Sequence, residues 1–245
     1  MLNIYSINSG SKGNCTVVEA DNSFIIIDCG GKINQLKQGF KDINLDYRKA
    51  SALLITHKHT DHIAQLKLFK DIPIFSPIIL DYPSIKLEAN KYYKIEDFII
   101  KPILLSHDCV PTIGFIIEYF DEKLVYITDT GYVKDSYLDD LYGCNYLILE
   151  FNHDLEMLMK SNRPQFLKSR IASDSGHLCN EDAALLTNKI ISVQTKLIWL
   201  AHISLETNDE ELALKSLYNN CDHDLLNNID IKTLKQNEIT VYKAF

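Results

Sequence analysis

Apolar residues in this chain come in short runs, and run after run stops at a residue able to hold a metal or a proton. Runs at 2–7, 15–19, 24–27, 51–56, 73–75, 98–105, 113–119, 124–127, 146–149, 197–201 and 239–245 are rich in Ile, Val, Leu, Phe and Tyr and predict β-strands. Ser51-Ala52-Leu53-Leu54-Ile55-Thr56 lacks polar alternation, which reads as a strand buried on both faces. Runs 113–119 and 124–127 predict a hairpin through Asp121-Glu122. Helical spacing predicts a helix over 31–42 with Ile33, Leu36 and Phe40 inward, a helix start at 63–69, and a helix over 77–88 broken near Pro83. The second half turns helical at 154–160, 164–173, 181–193 and 209–218. Asn180 and Asn208 are the candidate caps of the last two.

The residues that end these strands form a series: Asp28, His57, His107, Asp129, His153 and His202. In layered α/β proteins the strand ends on one side form the site. No internal repeat, low-complexity tract or linker rich in Gly, Pro or Ser divides the chain, so one domain over 1–245 is the expectation.

Composition narrows the classes. A chain of 245 residues with 46% hydrophobic content can bury a sizeable core. Its net charge of −8 argues against duplex binding over the whole surface, while leaving room for a local basic patch. The six cysteines have no CxxC spacing and read as reduced thiols. No basic leader and no apolar run long enough for a bilayer is present, so a cytoplasmic protein without membrane contact is expected.

The densest chemistry is His57-Lys58-His59-Thr60-Asp61-His62, with four candidate ligand residues in six between a buried strand and a helix start. Imidazole with carboxylate suits zinc, manganese or iron. Asn8-Ser9-Gly10-Ser11-Lys12-Gly13-Asn14 is a turn-rich loop whose glycines let backbone approach a ligand, and Ser11, Lys12 and Asn14 are candidates for phosphate contact. The segment 160–170 holds Lys160, Arg163, Lys168 and Arg170 and no acid. Arg163, Lys168 and Arg170 are the candidates for phosphates, including a terminal 5′-phosphate.

His-x-His-x-Asp-His after a buried strand resembles the signature of the metallo-β-lactamase fold superfamily. Further motifs resemble its YycJ/WalJ (VicX) subgroup: Ser9-Gly10-Ser11-Lys12-Gly13-Asn14-Cys15, Ile27-Asp28-Cys29-Gly30, Thr128-Asp129-Thr130-Gly131, Asn152-His153-Asp154, Arg170-Ile171-Ala172-Ser173 and Gly176-His177-Leu178-Cys179-Asn180. Phe151 and Cys179 depart from that pattern, where a small polar residue and Ser are expected.

The resemblance implies a four-layer αβ/βα sandwich, an α/β fold of two mixed sheets flanked by helices. It implies two divalent metals, manganese or zinc before iron. His57, His59 and His107 would hold one, Asp61, His62 and His202 the other, with Asp129 bridging and Asp28 orienting the site. Asp61, His153 and His177 are the catalytic candidates. His153 is an alternative to His107 on the first metal or positions the leaving group, and His177 is a general acid or phosphate contact. Asn152 joins the substrate candidates. The subgroup consists of bacterial cytoplasmic nucleases that digest double-stranded DNA from 5′ to 3′ and are linked to mismatch repair, which makes DNA the expected partner.

Two such cations make hydroxide available near neutral pH and offset phosphodiester charge, so a metal-bridging hydroxide is the expected nucleophile. The alternatives on the same scaffold are an RNase or small-diester phosphodiesterase, a dinuclear iron oxidoreductase, and a non-catalytic metal-binding protein. The oxidoreductase would need an electron donor, and no flavin-binding domain is visible. The complete ligand set speaks against the non-catalytic protein.

Overall fold

The computed structural model of the chain describes residues 1–21 and 23–244. The strands are β1 (Leu2–Asn8), β2 (Cys15–Ala20), β3 (Ser23–Ile27), β4 (Ala52–Leu54), β5 (Ile74–Ser76), β6 (Ile85–Lys86), β7 (Tyr93–Ile95), β8 (Phe98–Leu105), β9 (Thr112–Tyr119), β10 (Glu122–Ile127), β11 (Tyr146–Glu150), β12 (Leu197–Ala201), β13 (Asp230–Thr233) and β14 (Thr240–Tyr242). The α-helices are α1 (Ile33–Asp42), α2 (Thr60–Ile63), α3 (Leu138–Leu141), α4 (Leu155–Lys160), α5 (Gln165–Ile171), α6 (Asn180–Ile190), α7 (Glu210–Asn220) and α8 (His223–Leu226).

The strands form two seven-stranded sheets, ordered β14-β1-β2-β3-β4-β5-β6 and β13-β12-β11-β10-β9-β8-β7. Both are mixed. In the first, β14 to β3 pair antiparallel and β3 to β6 parallel. In the second, β10 to β13 are parallel and β7 pairs antiparallel with β8. The chain divides into two compact units: Met1–Pro102 with Glu118–Glu122 and Leu234–Phe245, and Ile103–Ile117 with Lys123–Thr233.

In the first unit, Leu36 and Phe40 of α1 join Tyr5, Ile7, Val17, Ile26 and Leu53 in one core. In the second, Ala183, Ala184 and Ile190 of α6 join Leu147, Leu149, Ile198 and Leu200. Parallel strands point their carboxyl ends the same way. Within the first unit this sets Asp28 after β3 beside the chain leaving β4. Within the second it sets Asp129, Glu150 and His202 at the ends of β10, β11 and β12.

Several expectations are corrected. Residues 77–88 form no helix. Leu87 N–H donates to Ser76 O and β6 pairs with β5, because prolines at 77 and 83 deny a helix its backbone bonds. Ile33 is exposed at the first position of α1. The cap of α6 is Cys179 and that of α7 is Asp209, one residue away from the expected asparagines in each case. Asn180 and Asn208 are instead paired by reciprocal amide bonds of 2.8 Å, a use that removes both from capping. The half-buried edge strand β13 has no run of apolar residues and was not expected. The closing strand is shorter than 239–245, and position 245 lies outside the described residues.

Candidate metal centre

In the first unit the ligand turn is locked by backbone. Asn14 N–H donates to Asp61 O, Cys29 N–H to His62 O and Gln65 N–H to Cys29 O, at 2.8, 2.7 and 3.0 Å. Gly30 makes the approach possible, since a Cβ there would lie 1.6 Å from Asp61 O. Asp28 is buried, adopts a left-handed φ of 60° and turns its carboxylate under the ligand turn. Its Oδ1 accepts from Thr56 N at 2.9 Å. Its Oδ2 accepts from Thr56 Oγ1 at 2.9 Å and His62 Nδ1 at 2.7 Å. This fixes the His62 tautomer and aims Nε2 the other way.

The ring centroids of His59 and His62 lie 4.7 and 4.1 Å from that of His57. His62 Nε2 is 3.5 Å from Asp61 Oδ2. Two donors about 2.1 Å from one tetrahedral ion stand about 3.4 Å apart, so this pair has the spacing of atoms that share a cation. Burial raises the Asp28 carboxyl above its ordinary range, against the pull of His62 and Thr56. A cation on His62 would oppose that rise.

The second unit repeats the device. Glu150 is buried, and its Oε1 accepts from both His177 Nδ1 and His202 Nδ1 at 2.8 Å. Its Oε2 takes Thr130 N and Leu178 N at 3.1 and 3.2 Å. His202 Nε2 then stands 3.6 Å from Asp129 Oδ1. Asp129, Glu150, His177 and His202 each offer a donor atom within 4.8 Å of the others. Asp129 and His202 both hold left-handed φ values, 59° and 54°. Such backbone in non-glycine residues persists only where its surroundings enforce it. Burial works against the Glu150 charge, but His177 and His202 outweigh it and hold the carboxyl at about 2. Burial lowers His177, yet Glu150 and Asp129 overcome that and its pKa is raised.

His107 is buried and bonds Gly176 O through Nδ1 at 3.0 Å, leaving Nε2 on the other edge, 3.3 Å from Asp108 Oδ1. Burial lowers its pKa. His153 is buried, its Nδ1 has no hydrogen-bond partner among the described residues, and burial holds its pKa down at about 4. It belongs to none of the candidate donor groups among the described residues. These imidazoles and carboxylates fit a divalent cation. The neighbouring Cys29 thiol, pushed up by burial, stays protonated and outside the donor set.

The substrate candidates meet different fates. Ser11 is exposed. Asn14 is buried, with Oδ1 accepting from Gly10 N at 2.8 Å, which turns its Nδ2 onto His62 Nε2 at 3.0 Å. Asn152 is buried and donates to His202 O at 3.0 Å, a contact that positions a candidate ligand. Arg163 pairs with Glu206 at 2.8 Å and Arg170 with Asp108 at 2.8 Å. Lys168 is buried and its Nζ donates to Met159 O at 2.6 Å. Phe151 sits in the core of the second unit. Sequence reasoning missed Glu150 as a site residue. Its signal was a carboxylate closing an apolar strand, the one that singled out Asp28.

Two family models match the chain: the metallo-beta-lactamase superfamily over residues 9–108 and the beta-lactamase superfamily domain over 83–203. Exodeoxyribonuclease YycJ of Bacillus anthracis is 34% identical over 88% of this chain and 88% of its own length. Exodeoxyribonuclease WalJ of Streptococcus pneumoniae is 30% identical over 88% and 87%. The metallo-beta-lactamase fold protein YhfI of Bacillus subtilis superposes with a TM-score of 0.74 at 15% identity, covering 98% of this chain and 99% of that one, which shows the fold to be the expected α/β class. With its ligand turn, its carboxylate-oriented histidines and these relatives, the chain belongs to the metallo-β-lactamase superfamily of metal-dependent hydrolases, in the group of YycJ and WalJ.

Proposed function

We propose that the chain, as one hydrolase domain over 1–245, is a two-metal nuclease that digests double-stranded DNA from the 5′ end. The metals would be manganese or zinc. His57, His59, Asp61, His62, His107, Asp129 and His202 are the ligands. The observation that carries this reading is the pair of buried carboxylates: Asp28 and Glu150 each take the Nδ1 of a candidate ligand histidine, so each imidazole presents Nε2. The names of the two exodeoxyribonuclease relatives supply the substrate class. Among the described residues no helix is long and apolar enough to cross a membrane.

When bound, two divalent cations lower the pKa of a water and offset charge on the phosphodiester. The protein's own part is orientation and proton transfer. Asp61 is a ligand at the site edge and accepts a proton from the attacking water. His177 is held by Glu150 through Nδ1, keeps part of its ring in solvent, and donates its Nε2 proton to the leaving oxygen. His153, kept neutral by burial, positions the leaving group.

The test is metal analysis of the purified protein, followed by chelation and add-back of manganese or zinc with a 5′-phosphorylated duplex. Matched RNA and bis(p-nitrophenyl) phosphate serve as competing substrates. The expected result is metal-dependent release of nucleotides from the 5′ end, lost in Asp129→Ala without loss of fold. Full duplex activity in metal-bearing Asp129→Ala would refute it, and preferential RNA digestion would move the substrate class.

A further inference from the structure

Phe166 is the second residue of α5 and stands 75% exposed. A single exposed apolar side chain means little. Two features of its setting give this one meaning. Phe166 and Arg170 are four apart on one helix and share a face. Arg170 is itself anchored toward the candidate centre: its Nε lies 2.8 Å from Asp108 Oδ2, and Asp108 Oδ1 lies 3.3 Å from His107 Nε2. The other end of α5 is tied to the general-acid candidate, since His177 N–H donates to Ile171 O at 2.9 Å.

Four helical residues rise about 6 Å, so the backbone that carries the ring lies one turn of α5 from that of Arg170, whose guanidinium is tied through Asp108 to a proposed ligand. That is one to two steps of a nucleic-acid strand, whose phosphates recur about every 3.4 Å. Arg163, three residues before Phe166 and just outside the helix, is paired with Glu206 at 2.8 Å. An exposed aromatic ring one turn from Arg170, a nucleotide or two from the cleavage chemistry, is the arrangement that takes the π-face of a base.

We propose that Phe166 is the stacking platform for the base at the end of the DNA strand, holding it while the adjoining phosphate enters the site. This assignment rests on the nuclease reading above and names the contact that selects a polymer end over a small diester.

The test uses the metal-loaded full-length protein and a duplex carrying 2-aminopurine at the 5′ end with phosphorothioate linkages that resist cleavage. Stacking on Phe166 quenches the probe. Phe166→Ala and Phe166→Leu are expected to lose the quench and weaken binding roughly tenfold, while Phe166→Trp keeps both. On cleavable substrates, the ratio of kcat/KM for the duplex to that for bis(p-nitrophenyl) phosphate should fall about tenfold in Phe166→Ala. Leucine performing as well as phenylalanine, or an alanine variant that retains the parent's quench and ratio, overturns the platform while leaving the nuclease reading intact. A parent protein that digests neither duplex nor small diester with metal added overturns the nuclease reading first.

Discussion

Asp28 Oδ2 lies 2.7 Å from His62 Nδ1, and neither side chain reaches solvent. With Thr56 donating twice to the same carboxylate, Asp28 is placed to orient His62. Removing such an outer partner of a ligand histidine costs on the order of 10–100-fold in metal affinity. Asp28→Ala should show that loss by calorimetry with manganese or zinc, and Asp28→Asn a smaller one. Unchanged affinity in the alanine variant would refute the orienting role.

Glu150 offers a pH signature. Glutamine there sets its NH2 either against two imidazole N–H groups or against two backbone N–H groups, which costs about 1–3 kcal/mol in a buried site. Because the folded carboxyl titrates at about 2, below its ordinary 4.5, its stabilisation is full above the ordinary value and disappears only as pH falls through about 2. The stability gap between metal-free parent and Glu150→Gln, read by urea unfolding, should therefore persist at about pH 4. A gap already closed there would mean an ordinary carboxyl.

Gly30→Ala is expected to damage the first unit. Its Cβ would meet Asp61 O at 1.6 Å and Asn14 N at 2.9 Å, backbone atoms that cannot rotate away. The cost should exceed about 3 kcal/mol, the upper range for overpacking, with metal uptake falling alongside. A variant with the parent's melting temperature and metal content would contradict the close packing described above.

Cys179→Ser should stabilise the protein. The cap of α6 is a sulfur that accepts from Asp182 N–H at 3.5 Å, and serine oxygen is a much better cap. A gain of about 0.5–1 kcal/mol in denaturant midpoint experiments is expected. Burial also pushes the Cys179 thiol up to about 11, so its alkylation should stay slow at about pH 8 and quicken only as pH approaches that value.

The candidate ligand turn at 57–62 was legible because its donors are contiguous, and contiguity does not depend on topology. Asp129 and His202 were legible as candidates because each closely follows an uncharged apolar run, 124–127 and 197–201. Glu150 ends just such a run, but its meaning depends on two histidines 27 and 52 residues later, one in the loop after α5 and one set beside it by the parallel pairing of β11 with β12, which no local pattern records. The basic segment is a different case. Sequence shows charge but not its counter-ions, and the structure gives Arg163 to Glu206 and Arg170 to Asp108. Residues 77–88 failed because apolar spacing alone does not separate a helix from an extended stretch whose carbonyls and N–H groups find partners elsewhere.

Gln236, near the far end of the sequence, braces the glycine loop that precedes Asn14: its Oε1 accepts from Lys12 N at 3.0 Å and its Nε2 donates to Gly13 O at 3.2 Å. With β14 lying along β1, two stretches far apart in the sequence close one edge of the first sheet together. Without residue 236 every member of the His57–His62 motif would remain but the prop behind the glycine loop would be gone, so the geometry beside that motif depends on a side chain more than two hundred positions away.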